Sequence, residues 1–297
     1  MSMNQPIKFF TSLPGRINRR IQYLVEPTLL VWKVTLGFLW RRTVKPHGLS
    51  SPLIVSLTSY PARFNKLHLT LKSLLSQSIA ADRVILWIAH QDKQLLPPSV
   101  LELQRTGLVI AYCKDLRSYK KIIPALHTFP GSFIVTADDD LYYWPTWLEE
   151  LVLSYQMGSN DVICHRLHRI RVGEDGFPLP YEKWEIEKQG GDTSPLNFQT
   201  GAGGVLYPPS AFHADVLNEE MFKKLCPQAD DIWLYWMMRL NGMMARKTTK
   251  SRAICCWRDT QQTALFHNNV AGGGNSEQVM AMVRAYGFSC NLDKMRI

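Results

Sequence analysis

Four short apolar runs, each followed by a helix-like stretch, constrain this chain more than any other feature. "PLIVSL" (52–57), "RVILWIA" (83–89), "LVIAYC" (108–113) and "SFIVTA" (132–137) read as buried strands. Between them, "NKLHLTLKSLLSQS" (65–78) carries apolar residues at helical spacing, and "PPSVLELQRTG" opens on proline and stops on glycine. "YKKIIPALHTF" reads as a kinked or short helix, and "PTWLEELVLSYQ" (145–156) starts one with Pro145 and acids in its first turn. This alternation predicts an α/β fold with a mainly parallel sheet flanked by helices. In such sheets ligands bind beyond the carboxyl ends of the strands.

Three polar loops fall at those ends: "TSYPAR" (58–63), "KDLRSYKK" (114–121) and the aspartate triplet of "FIVTADDDLYYWP". Side chains two apart on an extended backbone share a face about 7 Å apart. Two carboxylates at that distance repel by roughly 2 kcal/mol at an effective dielectric near 20. A bound cation would offset this, and a hard divalent ion held by one or two carboxylates keeps positions for a diphosphate. The bland alternative is three acids solvating a turn.

The second half is less regular. "DVICHRLHRIRV" (161–172) reads as a strand, followed by a long polar loop. "FQTGAGGVLYPP" (198–209) is glycine-rich, either to let backbone approach a ligand or as a plain turn. "ADDIWLYWMMRLNG" (229–242) reads as a helix opening on Asp230 and Asp231, acids that would also suit helix capping. Nothing splits this body, so the expected organisation is an extension over 1–50 and one domain over 51–297.

The net charge of +9 is concentrated in the extension. Lys8, Arg16, Arg19, Arg20, Lys33, Arg41, Arg42 and Lys45 stand there against Glu26 alone, which excludes a nucleic-acid-binding body. Within it, "TLLVWKVTLGFLW" (28–40) is too short to span a bilayer as a helix and apolar around its whole circumference. Flanking basic residues with Trp32, Phe38 and Trp40 suit a monotopic anchor on an anionic leaflet. The alternative is a helix docked on the protein's own body or on a partner subunit. The segment does not read as a secretory signal, because no small-residue cleavage site follows it. The six cysteines lack metal or CxxC spacing and read as buried free thiols of a reducing compartment.

Strand–"TSYPAR"–helix, the acidic triplet, "TGAGG", an acidic pair opening a helix and a late histidine together resemble the sugar-nucleotide-dependent glycosyltransferases of GT-A fold. The layout is closest to bacterial enzymes of surface-polysaccharide assembly. The resemblance implies a GT-A-like (Rossmann-like) sheet with a basic N-terminal helical extension. Asp138 and Asp140 would match the DxD acids that hold Mn2+ or Mg2+, although Asp139 with Asp140 is an equal register. His267 would complete the metal shell. Thr58, Tyr60 and Arg63 would wrap the nucleotide, Asp115 would bond the base, and Lys120 or Lys121 would offset phosphate charge unless they lie on a solvated helix face. Asp139 and Gly203 are further donor-binding candidates. Asp231, with Asp230 second, would be the general base if the enzyme inverts, and Trp233 would stack on an acceptor sugar unless it is core.

The implied function is metal-dependent, non-processive hexosyl transfer from a nucleotide-diphosphate donor, with UDP-sugar favoured, to a hydroxyl of a glycolipid or surface glycan. No QxxRW motif of processive synthases is present. The expected location is the cytoplasmic face of a bacterial inner membrane, through residues 1–50. The alternatives are a sugar nucleotidyltransferase, against which "SLTSYPARFN" has no glycine-rich phosphate loop, and a non-catalytic membrane-associated glycan-binding protein.

Overall fold

Apolar runs flanked by turn residues become strands because a sheet buried on both faces satisfies the backbone while hiding every side chain. The computed structural model describes residues 29–40, 44–250, 252–258, 260 and 274–289. Helix α1 covers residues 29–39. The four expected strands follow as β1 (Leu53–Thr58), β2 (Arg83–Ala89), β3 (Leu108–Cys113) and β4 (Phe133–Ala137). They pair in parallel in the spatial order β3, β2, β1, β4. Leaving β1, the chain therefore builds outward on one side and then crosses to the other. The order reverses between β1 and β4, which is the switch point at which such sheets open a ligand crevice.

Side chains alternate across this sheet with period two. Leu53, Val55 and Leu57 of β1 join Leu86, Ile88 and Val135 in one cluster, while Ile54, Ile85, Trp87 and Ile134 enter the opposite one. Helix α2 (Phe64–Leu74) covers the first cluster with Phe64, Leu67, Leu71 and Leu74. Each fully buried side chain of this kind contributes about 1.5–3 kcal/mol. The proline-started helix α3 (Pro98–Leu101) tightens into a 3-10 segment and stops at Gly107, whose φ is 104°. Helix α4 (Ile123–Thr128) follows β3, then β5 (Leu141–Tyr142) and α5 (Trp147–Ser154) follow β4.

The second half departs from expectation in two places. Residues 161–172 form two strands rather than one: β6 (Asp161–Cys164) stays in the main sheet, and β7 (Leu167–Arg169) leaves it to pair with β8 (Asn197–Gln199). The glycine-rich run then ends in β9 (Val205–Tyr207), which inserts between β4 and β6 antiparallel to both. After α6 (Glu219–Leu225) and α7 (Asp230–Leu240), β10 (Met244–Lys247) extends the sheet beside β6. The seven strands run β10-β6-β9-β4-β1-β2-β3. Strand β11 (Cys255–Cys256) pairs with β5, and α8 (Gly274–Tyr286) packs against α7.

Helix α1 docks on the body. Val34 packs on Leu69 of α2 and on Trp257, with Leu30, Val31 and Tyr142 around them. Phe38 lies against α2, with Lys72 Nζ 5.8 Å from its ring. Among the described residues no helix is long and apolar enough to cross a membrane. The thiol expectation holds at Cys164 and Cys226, which are buried and free; Cys255 and Cys256 are exposed, because β11 pairs at the surface with β5 alone.

Candidate active site

The loops after β1 and β4 meet at the switch point. Thr58 closes β1 and donates its hydroxyl to Trp87 O at 2.7 Å. Ser59 Oγ donates to Asp139 Oδ2 at 2.5 Å. Arg63, in the turn leading into α2, lies 2.7 Å from Asp139 Oδ1 and 3.1 Å from Asp140 Oδ2. Its guanidinium also stands 5.6 Å from the ring of Tyr60. Two expectations change here. Arg63 is spent on bracing Asp139 and Asp140, and Asp139 is turned inward, where it accepts from both Ser59 and Arg63. Asp138 is the most open of the triplet, its side chain 25% exposed against 6% for Asp139 and 9% for Asp140.

The loop after β3 supplies a second cation. Ser56 Oγ holds the Lys121 carbonyl at 2.6 Å. Lys121 Nζ then lies 3.2 Å from Asp138 Oδ1 and 3.0 Å from Asp230 Oδ2. Burial alone would lower its pKa, but Asp138, Asp230 and Asp231 outweigh that and hold it well above the usual value. Lys120 is likewise buried, so neither lysine lies on a solvated face. Its Nζ pairs with Asp115 Oδ1 at 2.7 Å, and Asp115 also accepts from Arg117 N at 3.0 Å. Burial works to raise the Asp115 pKa, yet these partners hold it below the carboxylate norm.

Across the crevice, α7 presents Asp230 and Asp231. The residue capping α7 is Ala229, and no side chain caps the helix, so the capping role is not realised. Asp231 Oδ2 accepts the backbone N–H of Gly201 at 2.9 Å. Desolvation first, then the charge of Asp230, pushes the Asp231 pKa up to about 7. Five carboxylates, the buried Lys121 and the half-buried Arg63 therefore meet between β1, β4 and α7. The pairings that join them were not visible beforehand, since nothing in the spacing of "KDLRSYKK" says which lysine turns inward.

Glycine is required at both Gly201 and Gly203, at the first by space and at the second by backbone conformation. A Cβ on Gly201 would stand 2.7 Å from Lys121 Nζ and 2.9 Å from Asp231 Oδ1. Gly203 has a φ of 92°, accepts Trp147 Nε1–H on its carbonyl at 2.6 Å and faces Ile254, so it shapes the turn. Trp233 is corrected as well. It is 0% exposed, donates Nε1–H to Val216 O and packs edge-on to Phe222 and Tyr286, so it is core. His267 lies outside the described residues. The segment before it runs past the acids, where Trp257 N donates to Asp140 O at 2.9 Å.

The charge of the triplet is met in part by Arg63 and Lys121, so repulsion alone no longer demands a metal. Among the described residues no three His, Cys, Asp or Glu side chains converge as a metal cluster. The donor set nonetheless fits a hard divalent ion. Asp138 keeps 25% of its side chain exposed beside Asp140, and Mg2+ or Mn2+ needs only one or two carboxylates when phosphate and water complete the shell.

No protein-family model matches the chain, and no curated protein matches it by sequence. Solved structures do resemble it in part. The mannosyltransferase PcManGT from Pyrobaculum calidifontis, solved with GDP-Man and Mn2+, matches at 14% identity over 50% of this chain and 45% of its own, with a TM-score of 0.32. S. aureus TarS matches at 16% identity over 68% of this chain and 59% of its own, with a TM-score of 0.44. The inositol-1-phosphate CTP transferase from T. maritima matches at 10% identity over 67% of this chain and 86% of its own, with a TM-score of 0.35. The match spans less than two thirds of both the mannosyltransferase and TarS. The likeness is one of fold, and the chemistry must be read from the site itself.

Proposed function

We propose that this chain is a glycosyltransferase that moves one sugar, without processivity, from a nucleotide-diphosphate donor to a hydroxyl of a glycolipid or surface glycan. One observation carries the reading: Lys121 joins Asp138 to Asp230, so the strand-end acids and the base candidate Asp231 face one crevice at the switch point. Donor anchoring and proton removal must occur within one sugar's width, and this cluster brings the two together.

The residues divide the work. Asp138 and Asp140 would hold a divalent cation, Mn2+ or Mg2+, which when bound offsets charge on the leaving diphosphate. Arg63 keeps Asp139 and Asp140 in place. Asp231 takes the acceptor's proton as the hydroxyl oxygen bonds to the anomeric carbon. The bond from that carbon to the diphosphate oxygen breaks, and the nucleoside diphosphate leaves with the electron pair. Attack from the face opposite the leaving group inverts the anomeric centre. Thr58, Tyr60 and the Asp115–Lys120 pair line the nucleotide side on this reading. The free thiols and the basic extension support action at the cytoplasmic face of a bacterial inner membrane.

Hydrolysis and transfer screening across UDP-, GDP- and dTDP-sugars, with and without Mn2+, tests this. Release of the nucleoside diphosphate is expected. Pyrophosphate release from a nucleoside triphosphate and a sugar phosphate, with no reaction of nucleotide sugars, would replace it with nucleotidyl transfer.

A further inference from the structure

We infer that the outward face of α1 is a lipid-docking surface for an anionic membrane. Sequence alone shows a helix apolar all round, and the structure divides it. One side, Leu30, Val31, Val34 and Phe38, is spent on the body. The other carries Trp32, Leu36, Leu39 and Trp40, which are 61%, 42%, 68% and 78% exposed. Their spacing of four, three and one puts them along a single stripe opposite Val34. A stripe with two tryptophans, exposed among the described residues, is costly in water and suits the headgroup boundary, where the indole ring is amphipathic.

Charge selects the occupant. Lys33 lies on the helix and Lys72 Nζ stands 5.8 Å from the ring of Phe38, Arg41 and Arg42 follow the helix in sequence, and residues 1–28 add four more basic residues against Glu26. A second copy of this chain would bring like charges together, whereas an anionic leaflet neutralises them. At 1.5 Å per residue the helix reaches only about 16 Å, so it lies on a bilayer rather than crossing it.

The docking also fixes distance. Val34 rests on Trp257, and Trp257 N donates to Asp140 O. One side chain therefore separates the lipid-facing helix from the acid triplet. The inference needs neither donor nor acceptor, so it stands or falls apart from the proposed activity.

Flotation of the full chain with vesicles of phosphatidylglycerol in phosphatidylcholine is the test. The wild type floats, binding falls at least about tenfold on phosphatidylcholine alone or in high salt, and a variant with Trp32, Leu36, Leu39 and Trp40 each changed to serine falls by as much or more. Its melting temperature stays at the wild-type value, because none of those side chains joins a core cluster of the described residues. A milder variant, Trp32→Phe with Trp40→Phe, keeps floating but loses part of the tryptophan quenching by brominated lipid. Undiminished flotation of the serine variant would overturn the inference. So would a wild type that stays off the vesicles and forms a dimer the variant cannot form. A melting temperature lowered by the serine changes would mean that the chain's own extension covers the face.

Discussion

Gly201 donates its backbone N–H to Asp231 Oδ2 at 2.9 Å and leaves no space for a side chain between that carboxylate and Lys121. Its backbone is not left-handed, so alanine there is a problem of space alone. Gly201→Ala is expected to displace Lys121 or Asp231 and lower transfer by tenfold or more, with stability changed by no more than about 1 kcal/mol. Parallel kinetics and urea unfolding check this.

Asp231 is pushed up to about 7, and a general base works only unprotonated. The rate constant kcat/KM should rise with pH and level off above about 7. Asp231→Asn should lie about 10²–10⁴-fold lower with that rise absent. Stability runs the other way. Between the ordinary carboxylate value and about 7 the native state binds the extra proton, so this group's contribution is lost as pH rises through that window. The asparagine variant removes that slope.

Removing the ammonium of Lys121 leaves Asp138 and Asp230 facing each other without it. Breaking a buried ion pair from one side costs about 3–5 kcal/mol. Lys121→Met should therefore lower the urea midpoint clearly and abolish transfer, and Lys121→Met with Asp230→Asn should regain part of the stability but not the activity.

Asp138 and Asp139 differ in what they hold. Asp139 is tied to Ser59 and Arg63, whereas Asp138 keeps an open side. Asp138→Asn should cost less stability than Lys121→Met, because Lys121 keeps Asp230, and should remove the Mn2+ dependence of UDP affinity in titration calorimetry. Asp139→Asn should lower stability by about 1–3 kcal/mol before any effect on binding is read.

Two buried histidines set an acid limit. His165 Nε2 donates to Trp147 O, and His168 Nδ1 accepts the backbone N–H of Glu187. Burial lowers each pKa to about 4. The unfolded chain takes up these protons near 6.5 and the native one only near 4, so stability is full above 6.5 and falls as pH drops through that window. Each site should cost about 3 kcal/mol by the lower end. Unfolding midpoints across pH should show the slope, with His168→Gln reducing it.

The parallel half of the fold was legible because each strand is an uninterrupted apolar run bounded by turn residues, and Arg83–Ala89 and Leu108–Cys113 match their sequence limits. Strand β9 was not, since three residues after a glycine run carry no period of their own and are recruited only by pairing with β4 and β6. The acids were legible as a cluster, but not their division of labour. That depends on Arg63 and Lys121 arriving from other loops. Trp233 belonged to an aromatic run on α7 whose helical spacing sends most of its rings to the core, and packing against Phe222 and Tyr286 places Trp233 among them.

Trp257 reaches back over most of the molecule, its ring N–H on Thr70 Oγ1 at 2.8 Å and its backbone on Asp140 O. On the ribosome, the four parallel strands can form well before that residue emerges, yet the turn carrying the acids gains its bond from Trp257 only afterwards. A nascent chain should thus acquire its core early and its competence late.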